Sequence, residues 1–261
     1  MQHGCVAKAS VSRLGESFAW LAQDSRGESI VATMSNYGPE RISTHAVEQD
    51  IAKFPSVSDA TAFTYQQGGH EFYVLNFTEG DRTWVYDLAT GQWHKRGWRD
   101  TNNVLHRHRA NTMAFFQGQA VVGDWQNGNL YFYSQTKFVD EVATLGGSFN
   151  ATPMVRTRRC VHLTTELKRQ FFHELQIQFQ PGVGLQTGQG SDPQAMLKWS
   201  DDGGSTWSNE HWVSIGKVGD YKHRARWTEL GEARDRIFEV TVTDPVYGPI
   251  VSANLEMSPG A

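Results

Sequence analysis

DATAFTYQQGGHEFYVLNF (residues 59–77) runs on into TEGDRTWVYDLATGQWHKR (residues 78–96), and this stretch decides the fold. Its four runs of aromatic and β-branched residues are separated by breaks that contain glycine. Such runs suit a pleated, half-buried strand, and the glycines supply the positive φ angles of tight turns. The stretch therefore predicts a four-stranded antiparallel meander, which is the size of one propeller blade.

Two neighbouring stretches have a similar organisation. Residues 17–33 predict a hairpin, and residues 110–138 predict three strands separated by turns. The runs IVAT (30–33), TWVY (83–86) and LYFY (130–133) recur at intervals of roughly fifty residues, the blade period of kelch-like propellers. The repeat predicts at least three blades in a row.

Three blades are too few for a closed propeller, which needs about four to eight. We therefore expect either more blades from later residues or a chain that is the C-terminal part of a longer protein, and we favour the second. Between the first two blades, residues 45–54 predict a helix with Thr44 as its N-cap. Pro55 follows the predicted end of this helix.

The pattern changes after residues 144–148. Six strands over about ninety residues favour a compact antiparallel sandwich over another blade. The predicted fold class is all-β: a partial propeller of kelch-like four-stranded blades at residues 1–158, then a β-sandwich-like domain at residues 159–261. The predicted strands of the second domain are residues 172–179, 196–200, 212–215, 223–227, 237–242 and 250–255.

Composition narrows the function classes. The 261 residues carry a net charge of −4, and 12% of them are aromatic, with nine Trp and 25 Gly. This composition is typical of a turn-rich β protein, and the negative net charge argues against sequence-independent electrostatic binding of nucleic acid. Cys5 and Cys160 form no disulfide or metal framework, which favours a reducing compartment, although a single bridge stays open. No apolar run is long enough to span a membrane.

The strongest local motif is SDDGGSTW (residues 200–207), which matches the Asp-box pattern of sialidase-like repeats. We expect Asp202 and the glycines to form a hairpin turn, Thr206 to tie the loop by hydrogen bonding, and Trp207 to pack beneath it. An Asp box is a folding element in sialidases and lies away from their catalytic centre. The motif therefore predicts one structural hairpin and no catalysis.

Two basic clusters are candidates for binding. HRHR (residues 106–109), with Lys95, Arg96 and Arg99 nearby, predicts either a charged loop face or a surface for an acidic partner or DNA backbone. A metal site there would need further ligands. Arg156, Arg158 and Arg159 form the second cluster, and residues 234–237 predict a salt-bridged turn. The sequence contains no phosphate loop, nucleophile elbow or zinc-helix motif, so we expect no catalytic, cofactor-binding or metal-binding residue.

Several stretches together resemble the packaged-DNA stabilisation proteins, also called tail hub or nozzle proteins, of short-tailed phages. The resemblance rests on the order and spacing of motifs over nearly the whole chain: GCVA (4–7), LGESFAWL (14–21), RISTHAVE (41–48), WVYD (84–87), TGQW (90–93), LKWSDDGGSTWS (197–208), GKVGDYKHRARW (216–227) and RDRIF (234–238).

The resemblance implies a non-enzymatic structural virion protein without cofactors, made in the host cytoplasm. It implies a homo-oligomeric ring below the portal and its adaptor, in contact with other tail proteins. Such a ring helps to retain packaged DNA and to gate its exit, with DNA present only as the contents of the channel. Family members are longer than this chain, which fits the favoured partial propeller.

Two alternatives stay open. A sialidase-like enzyme would explain the Asp box and the blade pattern, but it would need an arginine triad that the sequence does not reveal. A carbohydrate-binding module would explain the many tryptophans if some of them form an exposed platform. We expect Trp199, Trp207 and Trp227 to lie mostly in the core, because each belongs to or adjoins a predicted strand.

Overall fold

The computed structural model describes residues 3–35, 38–100, 102, 104–143 and 149–260. The chain divides into two compact units, residues 1–133 and residues 134–261. The pattern change predicted at residues 144–148 lies outside the described residues. The predicted boundary after residue 158 falls inside a strand of the second unit, and the position of the domain boundary stays a prediction.

Short antiparallel strands build three separate sheets in the first unit. The first sheet contains strands β1 to β5, the second β6 to β10, and the third β11 to β13. Their bounds are β1 His3–Cys5, β2 Ser12–Leu14, β3 Ser17–Asp24, β4 Ser29–Ser35, β5 Gly38–Arg41, β6 Thr61–Gln67, β7 His70–Phe77, β8 Arg82–Asp87, β9 Gln92–Arg99, β10 Leu105–Arg107, β11 Ala110–Phe116, β12 Gln119–Asp124 and β13 Leu130–Phe132.

The predicted meander is confirmed as the second sheet. Strands β6 to β9 pair in sequence order, and β10 adds a fifth strand beside β9. The turn before β8 places Asp81 at a φ of 46°, in the left-handed region that non-glycine residues seldom adopt. The predicted repeat is also confirmed, because β4, β8 and β13 occupy matching places in consecutive sheets.

One α-helix, α1 (His45–Ile51), is described between the first two sheets. Val47 and Ile51 on its buried face pack into the core that the first two sheets share. The predicted helix is therefore confirmed, although it ends before residue 54. Thr44 occupies the N-cap position without a capping hydrogen bond from its side chain.

The second sheet is covered on both of its faces. Along β7, Tyr73, Leu75 and Phe77 lie in the core shared with the first sheet, whereas Val74 lies in the core shared with the third. Because successive side chains of a strand point to opposite faces, the three sheets stack face to face with the second in the middle. This stacking is how adjacent propeller blades pack.

A two-stranded hairpin and two further sheets build the second unit. The first sheet of the sandwich has the order β16-β23-β19-β20, with β17 also paired to β23; in the second sheet β18 lies between β24 and the strands β21 and β22. The bounds are β14 Val139–Ala143, β15 Phe149–Pro153, β16 Arg156–Arg159, β17 Leu163–Thr164, β18 Gln170–Phe179, β19 Gln194–Ser200, β20 His211–Ser214, β21 Ala225–Thr228, β22 Glu232–Ala233, β23 Asp235–Val242 and β24 Ile250–Pro259.

The two sandwich sheets share one apolar core. Alternate residues of β18, such as Leu175 and Ile177, meet alternate residues of β19 and β23, such as Leu197 and Val240. This period of two is what a strand with one buried face requires. The predicted sandwich is confirmed. No helix among the described residues is long and apolar enough to cross a membrane.

Candidate functional site

The Asp box forms the hairpin between β19 and β20, as predicted. The Asp202 carboxylate accepts hydrogen bonds from the Thr206 backbone N–H at 2.8 Å, the Thr206 hydroxyl at 2.7 Å and the Ser200 hydroxyl at 2.7 Å. These bonds, led by the one from the Thr206 N–H, lower the pKa of Asp202 to about 2. The carboxylate is therefore held ionised to shape the loop, which is a structural role.

The neighbouring carboxylate of Asp201 has a partner that the sequence did not reveal. Its two oxygens accept hydrogen bonds from Arg236 Nε at 2.6 Å and Nη2 at 2.7 Å. Arg236 is only 2% exposed, and its guanidinium also donates to the carbonyl oxygen of Leu230. The pair joins the Asp-box hairpin to strand β23 of the same sheet.

Three aromatic rings surround the Arg236 guanidinium. The ring centroids of Phe172, Trp199 and Phe238 lie 4.6, 5.3 and 5.8 Å from its central carbon. A planar, delocalised cation packs well against such rings. The predicted salt-bridged turn at residues 234–237 is therefore wrong as to the turn, because residues 235–237 belong to β23, whereas the salt bridge is confirmed between Arg236 and Asp201.

Trp207 lies on the outer face of the same sheet, between two cations. The Arg159 guanidinium is 4.8 Å and the Lys198 ammonium 5.2 Å from the Trp207 ring centroid. Both cations also pair with Glu239, Lys198 at 2.8 Å. Burial of Glu239 alone would raise its pKa, but the bonds from Lys198 and Arg159 lower it overall. Trp207, its two cations and Glu239 therefore contact one another in a single cluster of side chains.

The basic segment at residues 106–109 is tied into the fold. His106 Nδ1 lies 2.8 Å from Asp81 Oδ2, and this hydrogen bond raises the pKa of His106. The Arg107 guanidinium lies over the Trp125 ring, 4.3 Å from its centroid. These two side chains are therefore already partnered.

The remaining two side chains of that segment are also held within the protein. Desolvation lowers the pKa of His108 to about 3, so its imidazole is neutral at physiological pH. Arg109 Nη2 lies 2.6 Å from Asp124 Oδ2, whose side chain is fully buried. The side chains of residues 106–109 are therefore partnered inside the fold and do not form the expected charged loop face. The use of this basic stretch as a surface for an acidic partner or DNA backbone stays a prediction.

The structure gives no support for a metal site in the part of the chain that it describes. Within those residues, no group of three or more His, Cys, Asp and Glu side chains is placed to hold a metal ion. His106 pairs with Asp81, whereas His108 Nδ1 accepts a hydrogen bond from the Ala110 N–H at 3.1 Å. Cys5 and Cys160 are both free thiols.

The second basic cluster separates into three environments. Arg156 donates to the carbonyl oxygens of Val246 and Asp244, both at 2.6 Å. Arg159 is committed to Glu239 and Trp207. Arg158 is exposed at the edge of the sandwich.

The third sheet of the first unit leaves one face open. Its inner face packs through Ala120 and Val122 against the second sheet. On the outer face, Leu130 is 72% and Phe132 57% exposed, and Phe132 pairs across the strands with Val121. Phe116 at the end of β11 is exposed as well. Contiguous exposed apolar side chains of this kind mark interaction surfaces.

Among the described residues of the sandwich, the four tryptophans do not form the exposed platform that a carbohydrate-binding module needs. Trp227 is buried, and Trp199 packs against the sandwich core and stacks on His211. Trp207 is half-buried beneath its two cations. Trp212 is exposed. The prediction that Trp227 lies in the core is confirmed, and the other two are partly buried.

The described residues form an all-β protein, a stack of blade-like sheets followed by a sandwich, and this architecture alone does not define a function. Two family models match this order of domains. Residues 1–138 match the bacteriophage P22 Gp10 β-propeller, and residues 156–258 match the bacteriophage P22 Gp10 β-sandwich. The chain belongs to this family, and it is a phage structural protein.

Solved structures give only distant similarity. One is an exo-β-1,3-galactanase from Phanerochaete chrysosporium, with 10% identity, a TM-score of 0.23, and coverage of 95% of this chain and 56% of that one. Another is a glycoside hydrolase family 43 arabinoxylan arabinofuranohydrolase from Bacillus subtilis, with 8% identity, a TM-score of 0.25, and coverage of 95% and 54%. The chain spans little more than half the length of either protein. Comparison with curated proteins found no match.

Proposed function

We propose that the protein is a tail hub, or nozzle, component of a short-tailed phage virion. Several copies form a ring below the portal and its adaptor, help to retain packaged DNA and gate its exit. The observation that carries the proposal is the match of both P22 Gp10 domains, in order, over residues 1–138 and 156–258. The protein is made in the host cytoplasm and acts in the virion.

The chemistry of the surface supports this role. A net charge of −4 disfavours tight binding to DNA, so DNA can pass through a channel formed by the protein without binding to its wall. The open face of the third sheet supplies an apolar surface of the kind that contacts between subunits use. Other tail proteins and the portal adaptor are the expected partners.

The proposed role requires no chemistry, and we propose that the protein is not an enzyme. The sialidase alternative rests on the Asp box, whose Asp202 is committed to the loop that it shapes. Turnover of a fluorogenic sialoside by the purified protein, above a blank without protein, would restore that alternative.

Quantitative mass spectrometry of purified phage particles tests the proposal. We expect peptides of this chain at a small fixed ratio to the portal protein, unchanged after repeated density-gradient purification. Particles assembled without the protein should lose their DNA during purification. Absence of the chain from infectious particles, or full DNA retention without it, would refute the proposed role.

A further inference from the structure

One side of the sandwich is open between its two edge strands. A groove of about 430 Å³ runs between β16 and the beginning of β24. Core residues form its floor, and two arginines of β16 form one wall. The side chains that matter for binding are Arg156, Arg158, Phe179, Val240, Val242 and Ile250.

The core continues onto β24 but is not covered there. Ile250 pairs with Phe179 and Met257 with Phe172, and both partners are buried core residues. Residues paired across antiparallel strands share a face, so Ile250 and Met257 point to the core side of the sheet. They are nevertheless 41% and 46% exposed. In the part of the chain that the structure describes, the stripe on β24 therefore lacks an opposing strand that would cover it.

Strand β16 ends the opposite sheet above this uncovered stripe. Within the described ranges it pairs on one side only, with β23. No other strand among the described residues pairs with the backbone N–H and C=O groups on its other side, and an unpaired edge of this kind can accept an added strand. A strand placed next to β16 would lie about 4.8 Å away in the same sheet and opposite β24. Its alternate side chains would cover the open core.

The positive charge at this edge indicates which side chains the added strand should carry. Arg156 and Arg158 pair with Val242 and Val240, so both arginines project to the core side of β16. The Arg156 guanidinium is already bonded to two carbonyl oxygens. Arg158 has no such bond among the described residues, and no carboxylate lines the groove. A carboxylate is the natural complement of this cation.

We propose that the groove binds an extended segment of a partner protein by strand addition to β16. The segment carries branched apolar side chains at alternate positions, which pack over Ile250 and the groove floor, and an acidic side chain that pairs with Arg158. Backbone pairing supplies affinity, and the apolar floor and the arginine supply selectivity. The inference does not depend on the proposed ring, because it concerns a surface of one chain.

A peptide titration of the full chain tests the proposal. The probe is a synthetic peptide of about seven residues in which valine, glutamate and valine occupy alternate positions with threonine between them, so that the glutamate faces the core side together with the valines. The control peptide has lysine in place of the glutamate. We expect the acidic peptide alone to shift NMR signals of β16 and β24, to protect β16 amides from exchange, and to bind less tightly at high salt. Arg158→Ala should weaken binding about fivefold, as loss of a partly exposed ion pair would.

Three further variants make the test decisive. Arg158→Glu should exchange the preference, so that the lysine peptide binds and the glutamate peptide does not. Ala253→Trp, on the core side of β24, should block both peptides. Arg224→Ala, an exposed arginine beside Gln176 on the other sheet, should change nothing. Equal binding of both peptides by the unaltered chain, shifts away from β16, or binding of decanoate at this site without binding of the acidic peptide would overturn the proposal.

Discussion

Removal of Arg236 should destabilise the sandwich more than any change to an exposed ion pair. Arg236→Ala deletes two hydrogen bonds to Asp201 and two to the backbone carbonyls of Leu230 and Glu232, and it empties the space between three aromatic rings. Breaking a fully buried pair costs roughly 3–5 kcal/mol. Because the Asp201 side chain is 43% exposed and water can solvate it, we expect the lower end, about 3 kcal/mol.

Two other substitutions separate the causes of this effect. Arg236→Met keeps an apolar stem against the rings, so it should cost less than Arg236→Ala, about 2 kcal/mol. Arg226 makes the same two-bond contact with Glu174, at 2.8 and 2.7 Å, but on the exposed face of β21. Arg226→Met should leave stability unchanged within the error of the measurement.

Hydrogen exchange followed peptide by peptide in urea is the assay, because it reports the two units of the chain separately. Peptides of β18, β19 and β23 should lose protection in Arg236→Ala, whereas peptides of β6 to β8 should not. A loss below about 1 kcal/mol, or equal losses in Arg236→Ala and Arg226→Met, would refute the reasoning that burial makes this pair matter.

Three further outcomes are expected. Asp202→Asn should remove a part of the stability that is sensitive to acid. The pKa of Asp202 is lowered to about 2 in the folded protein, so its ionised form stabilises the fold above the unfolded pKa of about 3.9. This stabilisation is lost as the pH falls toward 2. Thermal unfolding at pH 5 and pH 2.5 measures this, and an unchanged difference between the two in the variant would contradict it. NMR titration should give His94 a pKa of about 4, because desolvation and then Arg96 lower it, and His106 a pKa above its ordinary value; a His94 that titrates near pH 6.5 would contradict the described surroundings. The Leu130→Ser, Phe132→Ser double variant should reduce self-association in light scattering, whereas Val161→Ser, an exposed apolar residue of the other unit, should not; equal effects would remove the special role of the open face.

The strands of the first unit could be predicted because their signals are local. In β7 and β8, runs such as YVLNF and TWVYD combine high strand propensity with turns of glycine and aspartate on either side. The Asp box is local too, since Asp202 and Thr206 bond within four residues of each other. Both could therefore be recognised without knowledge of the distant parts of the chain.

The contacts that were missed join residues far apart in sequence. Arg236 meets Asp201 across 35 positions, and His106 meets Asp81 across 25. Nothing near residue 236 or residue 106 distinguishes a buried cation from a solvated one, so both stretches were interpreted as surface charge. Strands β1 and β2 were missed because their residues, HGC and SRL, contain no run of aromatic or β-branched side chains.

The central position of β7 has a consequence for how the sequence can change. From Tyr73 to Phe77, every residue of this strand is buried, including Asn76, whose amide donates to the Ala110 carbonyl of the next sheet at 3.0 Å. A strand with one solvent-exposed face accepts polar replacements at every second position, but none of these five positions is exposed to solvent. In a library of single substitutions, these five consecutive positions should therefore all tolerate few replacements. Members of the family should rarely differ at them.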